Sequence, residues 1–209
     1  FFKVMPRHTV IIGADETARM LAERLVTAGE TVSMIDNLEE NCARAKLLKG
    51  VNVHFADATD RDVLRKADVP DAKCVIIATP SDKVNLLVSQ VIRSNFGDKR
   101  IVARANSTSN LSAFTEAGIE TMSPTIAAAA ILENMVLRPS IFKLLAIKSD
   151  TQEEHIDEVH VTSKISVGRN LAQLNLRGCL VVALRRDDKL IPPNGATVLQ
   201  SGDILTLLG

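Results

Sequence analysis

Thr9-Val10-Ile11-Ile12-Gly13-Ala14-Asp15-Glu16-Thr17-Ala18 decides the fold of this chain. The apolar run that ends at Gly13 has the unbroken hydrophobicity of a strand covered on both faces in a parallel sheet. From Thr17 to Ala28, the residues Ala18, Leu21, Ala22, Leu25 and Val26 share one helical face, and Gly29 supplies the stop. A second strand, Thr31 to Ile35, delivers Asp36, which stands 23 positions beyond Gly13. A dinucleotide-binding βαβ unit places there the acid that holds a ribose hydroxyl. In the Gly-x-Gly-x-x-Gly turn of such units the second glycine lets the backbone approach a pyrophosphate, and the third lets helix and strand pack closely. Here those positions are Asp15 and Ala18. Ala18 is small enough for its role. Asp15, followed by Glu16, sets two carboxylates where phosphate would sit.

The helix-end field is worth ~0.3 to 2 kcal/mol to an anion. One like-charge pair about 5 Å apart, at an effective dielectric near 20, costs about 3 kcal/mol. Repulsion is the larger, so the sequence predicts a Rossmann-type fold that resists polyphosphate in the usual pose unless a divalent cation bridges Asp15 and Glu16. A second reading stays open, in which the two acids only complement the helix dipole of an empty site.

Working outward, strand and helix signals keep alternating after Asp36, the pattern of a doubly wound parallel sheet. A helix is expected over Leu38 to Leu48, a strand over Val51 to Ala56, a short helix over Arg61 to Ala67 and a strand over Lys73 to Ala78. Thr79-Pro80-Ser81 caps a long helix to Asn95. A strand over Arg100 to Ala105, a helix over Asn110 to Ala117 and a short strand over Ile119 to Met122 complete the set. Ser123-Pro124 opens a helix that runs to Leu137, and Arg138-Pro139 separates it from a second one, Ser140 to Ala146. This reads as a helix-turn-helix arm. Between Lys148 and Glu154 the apolar periodicity lapses into a polar linker, which divides the chain into domains 1–148 and 153–209. The second is expected to be a small α+β unit: strands over Ile156 to Val161, Leu180 to Leu184 and Ile204 to Leu208, a helix over Asn170 to Leu174, a polar hairpin turn at Arg186 to Lys189 and a second turn at Pro192 to Gly195. About 60 residues make a marginal core, so this unit is expected to shelter apolar surface against a twin or against the first domain.

With 25 basic and 25 acidic residues, no Trp and no Tyr, the chain lacks both the charge and the stacking rings of a nucleic-acid binder. A hydrophobic fraction of 46% supports a real core, and the longest apolar stretch, Ile126 to Leu132, is far short of a bilayer span, so a soluble chain is expected. Cys42, Cys74 and Cys179 form no Cys-x-x-Cys pair and suggest a reducing compartment; Cys74 and Cys179 lie in strand-like runs and are expected to be buried. Phe1 to His8 enters the first strand without an initiator Met, as a piece cut from a longer polypeptide or an expression scar would.

Ala56-Asp57-Ala58-Thr59 after the third strand, Ala78-Thr79 with Asp82 after the fourth and Val102-Ala103-Arg104-Ala105 on the fifth join the Gly13 turn and Asp36 in a recognisable succession. Val167-Gly168-Arg169-Asn170-Leu171, Arg177 to Ala183, Pro193-Asn194-Gly195 and Ser201-Gly202-Asp203 continue it to the end of the chain. The whole resembles the regulator of potassium conductance (RCK) family, the cytosolic modules of Trk and Ktr uptake systems, many potassium channels and some cation antiporters.

The resemblance implies a non-enzymatic, ligand-sensing gating module on the cytoplasmic side of the plasma membrane. It also implies homodimers formed partly through the helix-turn-helix arm, their assembly into a tetrameric or octameric ring, and a membrane pore or transporter as partner. Ligands of the AMP, ADP, ATP, NAD or NADH class are implied at Gly13, Asp15, Asp36, Asp57, Thr59, Thr79 and Arg104. Of these, Asp36 would hold the ribose, Asp57 and Thr59 would border adenine, and Thr79 and Arg104 would flank phosphates or a facing subunit. Each residue also has a local alternative: Asp57 and Asp82 as caps, Thr79 as a strand-end hydroxyl, Arg104 as the partner of neighbouring acids. Arg169, Asn175 and Pro192 resemble cyclic di-AMP contacts, and turn geometry alone also accounts for Arg169 and Pro192. His155 and His160 lie among acids without metal-ligand spacing.

Two other functions compete. An NAD-dependent oxidoreductase would need a catalytic acid, and the chain offers no Tyr, with His8 and His54 poorly placed. A scaffold with a degenerate nucleotide site would only assemble.

Overall fold

Adjacent residues of the first strand, β1 (His8–Ile12), face opposite cores: Val10 and Ile12 pack into one, Ile11 into the other, and all three are fully buried. That two-sided burial is what an unbroken apolar run dictates, and it makes β1 the centre of a parallel sheet. In the computed structural model, which describes residues 8–138, 156–163, 165–174, 176 and 178–209, the chain divides into two compact units, Phe1–Glu133 and Asn134–Gly209.

In the first unit β1 is followed by α1 (Glu16–Thr27), β2 (Thr31–Asp36), α2 (Glu39–Ala45), β3 (Val51–Phe55), α3 (Arg61–Lys66), β4 (Cys74–Ile77), α4 (Asp82–Phe96), β5 (Arg100–Arg104), α5 (Leu111–Glu116) and β6 (Glu120–Met122), and α6 (Pro124–Leu137) begins in it and ends in the second. The sheet order is β3-β2-β1-β4-β5-β6, every pair parallel, so the direction of winding reverses between β1 and β4. Ligands of open α/β sheets bind at the carboxyl ends of strands beside such a reversal.

One face carries Ile11, Val32 and Met34 against Ala18, Ala22 and Ala45 of α1 and α2; the other carries Val10, Ile12, Ile35, Val75 and Ile77 against Leu64, Val88, Ile92 and Phe114 of α3, α4 and α5. Ala18 and Ala22 are the α1 residues fully buried, which is why the small residue at position 18 matters. Strand and helix expectations hold throughout this unit to within a few residues. The main trimming is at α2, which ends at Ala45: Leu47 and Leu48 turn back in tighter bonds to Arg44 and Ala45, and Leu47 is exposed. Helix α6 buries none of its residues within the chain; Ile126, Ile131, Leu132, Met135, Val136 and Leu137 are all exposed. The second helix expected in the arm, 140–146, and the polar linker lie outside the described residues.

The second unit is a four-stranded antiparallel sheet, ordered β7 (Ile156–His160), β10 (Ile204–Leu208), β8 (Leu180–Arg186), β9 (Lys189–Ile191), over a small core of Val161, Leu171, Leu184, Leu199 and Leu205. The helix expected over Asn170 to Leu174 is a single 3₁₀ turn, Leu171–Gln173. Its Leu171 and Ala172 N–H groups donate to Thr197 and Gly195, and Leu174 is already extended, so the backbone is tied to a neighbouring segment and does not propagate a helix. The hairpin turn expected at Arg186 to Lys189 is present, and β9 is its return strand. Asp187 and Asp188 both have positive φ, the signature of a two-residue hairpin turn that Asp tolerates, and they fold Lys189–Ile191 back on β8. Cys179, expected to be buried, is exposed, as is Leu180 beside it, because the start of β8 is not covered; Cys74, also expected to be buried, is half-buried, and Cys42 is buried.

Candidate functional site

The carboxyl ends of β1, β2, β4 and β5 meet around the Gly13 turn. Gly13 has φ +100°, and a Cβ there would lie 2.9 Å from the Ala78 carbonyl carbon and oxygen, so only glycine lets β1 pass this close to β4. Immediately after it the Ala14 N–H donates to Asp36 Oδ2 at 2.6 Å. Asp36 also receives the Leu38 N–H at 2.8 Å and the Asn41 side-chain amide at 3.1 Å, so it locks the β2–α2 turn onto the β1–α1 turn. Arg19 reaches back from α1 to the Ala14 carbonyl at 2.6 Å.

Asp15 caps α1. Its Oδ1 accepts the Ala18 N–H at 3.0 Å, and its Oδ2 lies 2.6 Å from Arg104 Nη1. The Arg104 side chain is 9% exposed and that of Asp15 36%, so the pair is closed on the Arg104 side and open on the other. Arg104 Nε has no hydrogen-bond partner among the described residues. Of the two roles open to Arg104, partner of a neighbouring acid is the one it occupies. Glu16 is exposed at the first position of the helix.

Thr79 donates its hydroxyl to Asn85 Oδ1 at 2.5 Å, while the Asn85 amide donates to the carbonyls of Thr79, 3.1 Å, and Arg104, 2.8 Å. A fully buried amide thus ties the ends of β4 and β5 together. Beside it Asp82, on the first turn of α4, accepts from the Asn106 N–H at 2.7 Å, the Asn106 amide at 2.8 Å, the Ser107 N–H at 3.0 Å and the Asn110 amide at 2.8 Å. Burial pushes this carboxyl up, and the donors of Asn106, Asn110 and Ser107 outweigh it and bring it down to about 2. Asp57 closes a local turn on Thr59, accepting its N–H and its hydroxyl, each at 2.8 Å, and those bonds hold its carboxyl below the usual range.

Gly13, Asp15, Asp36, Thr79 and Arg104 are therefore linked directly or through one neighbour at the carboxyl ends of the strands, and Asp57 with Thr59 forms its own turn after β3. Sequence reading missed Asn85, Asn106 and Asn110. Asn85 did leave a signal: it stands where an apolar residue belongs in the buried stripe of α4, with Val88, Ser89 and Ile92. In the second unit Arg169, just before the Asn170 cap, and Pro192, just after β9, are both exposed, and Asn175 lies outside the described residues. Among the described residues no group of three or more His, Cys, Asp or Glu could hold a metal ion, and no helix is long and apolar enough to cross a membrane.

Comparison with known proteins fits this architecture. Residues 9–124 match the TrkA-N domain and residues 157–209 the TrkA-C domain. A Trk system potassium uptake protein TrkA homolog of Methanothermobacter thermautotrophicus is 28% identical over 203 residues, 96% of this chain and 93% of the relative. Potassium channel protein 1 of Methanocaldococcus jannaschii is 26% identical over 217 residues, 99% of this chain and 64% of that protein. Among solved structures, the GsuK RCK domain is 26% identical with a TM-score of 0.54, over 97% of this chain and 44% of that one. The GsuK channel bound to NAD is 25% identical with a TM-score of 0.55, over 97% and 36%. The chain thus spans nearly all of the TrkA homolog and less than two thirds of the two channels. Through its successive TrkA-N and TrkA-C domains, the chain belongs to the regulator of potassium conductance family.

Proposed function

We propose that this chain is a ligand-sensing gating module of a potassium channel or cation transporter, working without covalent chemistry on the cytoplasmic side of the membrane. The observation that carries the reading is the geometry of these strand ends, where ligands of such sheets bind in a crevice: the Gly13 turn packed on Ala78, with Asp36 at the end of β2, at the point where a 3-2-1-4-5-6 sheet reverses. Asp36 is placed to take a ribose hydroxyl in exchange for one of its present donors. The NAD-bound GsuK channel supports an adenine-containing ligand.

Helix α6 supports assembly. A helix with Ile126, Ile131, Leu132, Met135, Val136 and Leu137 exposed is apolar surface that water does not favour, and a second copy of the chain is the cover this reading assigns to it. Domains 1–148 and 153–209, a dimer-based ring and a membrane pore as partner complete the proposal. A ligand shifts such a ring by the difference in its affinity for two ring geometries, and needs no other chemistry.

Calorimetric titration of the full chain with adenosine, AMP, ADP, ATP, NAD, NADH and cyclic di-AMP, each with and without magnesium, tests this. Saturable binding of an adenosine-containing ligand that is lost in Asp36→Ala supports the crevice. Binding unaffected by that substitution removes it. A magnesium requirement would place a divalent cation at Asp15 and Glu16, and cyclic di-AMP binding lost in Arg169→Ala would point to Arg169, Asn175 and Pro192. NADH turnover with a carbonyl substrate would favour the oxidoreductase reading instead.

A further inference from the structure

Two guanidinium groups reach the α1 turn: Arg19, half-buried, is spent on the Ala14 carbonyl, and Arg104, which faces Asp15, is more than nine-tenths buried. A buried guanidinium demands an anion, and in this chain the anion is internal: Asp15 Oδ2 at 2.6 Å, with Oδ1 of the same carboxylate on the Ala18 N–H at 3.0 Å. A phosphate at a helix N-terminus uses this set of donors, backbone N–H groups of the first turn and a nearby cation. Among the described residues Arg104 Nε has no partner, so the carboxylate answers the guanidinium only in part.

We infer that Asp15 is a built-in stand-in for phosphate, and that it sets the selectivity of the crevice: the site takes an adenosine whose 5′ substituent is not a phosphate, and disfavours AMP, ADP, ATP and NAD. The inference rests on the reading of the crevice as an adenosine site. The adenosine end needs Asp36 and the strand ends, which Asp15 leaves accessible. The 5′ end meets a turn whose Ala14 N–H is held by Asp36 and whose Ala18 N–H and Arg104 are held by Asp15. A 5′-phosphate could reach those donors only by displacing a carboxylate that would then face it without a partner, a like-charge contact that a binding site uses to reject a competitor. Exposed Glu16 adds to the same side.

The test compares the full chain with Asp15→Gly and Asp15→Asn in magnesium-free calorimetry against adenosine, AMP, ADP and NAD. Asp15→Asn keeps an oxygen for the Ala18 N–H and guards against a variant that fails only by losing its cap. The native chain is expected to bind adenosine at least tenfold more tightly than ADP or NAD. Both variants should tighten ADP and NAD at least tenfold and change adenosine less than threefold. Inorganic phosphate gives a second readout: millimolar phosphate should raise the melting temperature of the variants, whose Arg104 lacks its anion, and leave that of the native chain in place. Native affinity for ADP or NAD equal to that for adenosine, or an adenosine-to-ADP ratio the substitutions do not move, overturns the role of Asp15 and leaves the crevice reading standing. Silence of native chain and variants toward every ligand overturns both.

Discussion

Replacing Asp82 by Asn should destabilise the first unit by an amount that depends on pH in a defined direction. Four donors converge on the Asp82 carboxylate, two on each oxygen, at 2.7 to 3.0 Å, and the residue is 9% exposed. Asparagine keeps one oxygen and turns an NH₂ group toward the other two donors, so two charge-assisted bonds are lost and two polar groups are left facing a donor; about 2 to 4 kcal/mol is the expected cost at pH 6. The native carboxyl titrates near 2, against an ordinary 3.8. A carboxyl depressed by folding contributes stability that is fully present above 3.8 and is lost as pH falls through about 2, and that difference amounts to about 2 kcal/mol. Urea unfolding of native and Asp82→Asn chains at intervals from pH 6 to pH 2.5 measures the gap between them, in which the titration of other groups cancels. The gap should narrow steadily below pH 4. A gap that stays constant over that range, or a variant as stable as the native chain at pH 6, would refute the assignment of these four bonds to an ionised Asp82.

Gly13→Ala should cost at least about 3 kcal/mol, since it combines positive φ with a 2.9 Å approach to the Ala78 backbone, whereas Gly29→Ala, with φ +85° and open space, should cost about 1 kcal/mol; thermal melts of both separate packing from conformation. Asp203, 1% exposed, takes Arg186 in a two-pronged bond at 2.7 and 2.8 Å and the Gln200 N–H at 2.8 Å, so Asp203→Asn should destabilise the second unit by about 1 to 3 kcal/mol, seen as earlier hydrogen exchange in β8 and β10. Leu132→Glu with Val136→Glu should shift the mass seen by light scattering toward the monomer without lowering the melting temperature of the isolated subunit, since neither side chain is buried within the chain.

Most of the first unit could be read from the sequence because its signals are local and redundant. Two-sided burial of β1 gives Val10, Ile11 and Ile12 no polar neighbour to break the run, and α1 and α4 carry both a stripe and a cap, Asp15 and Ser81. Asp36 was legible for the same reason, since it ends a strand at a fixed distance from Gly13. The second unit was less so. Its 3₁₀ turn at Leu171–Gln173 is determined by bonds to Gly195 and Thr197, more than 20 residues away, whereas the hairpin at Asp187 and Asp188 was legible because its turn residues are local. At the site, the types of residue were legible and their pairings were not. Arg104 is 89 residues from Asp15, and only the register of β1, β4 and β5 brings them within 2.6 Å.

That pairing changes the physical reason for which the crevice should resist phosphate, and the two reasons have different salt dependence. Read as bare charges, Asp15 and Glu16 repel a phosphate through solvent, and ~1 M salt, with a Debye length of about 3 Å, would screen most of that repulsion. In the structure Asp15 is not bare: its charge is matched by Arg104 and its second oxygen by Ala18, so the obstacle is occupation of the donors, which is local and hardly screened. Only the exposed Glu16 remains a screenable charge. The ratio of ADP affinities between Asp15→Gly and native chains, measured at 0.1 M and at 1 M potassium chloride, distinguishes the two. Screening of Glu16 is common to both proteins and drops out of the ratio, and the bond of phosphate to buried Arg104 in the variant is as local as the Asp15 contact it replaces. Donor occupation requires the ratio to stay within about threefold across that range, whereas bare repulsion requires it to collapse toward one, and a collapse would mean that the contact between Asp15 and Arg104 does not govern what the crevice accepts.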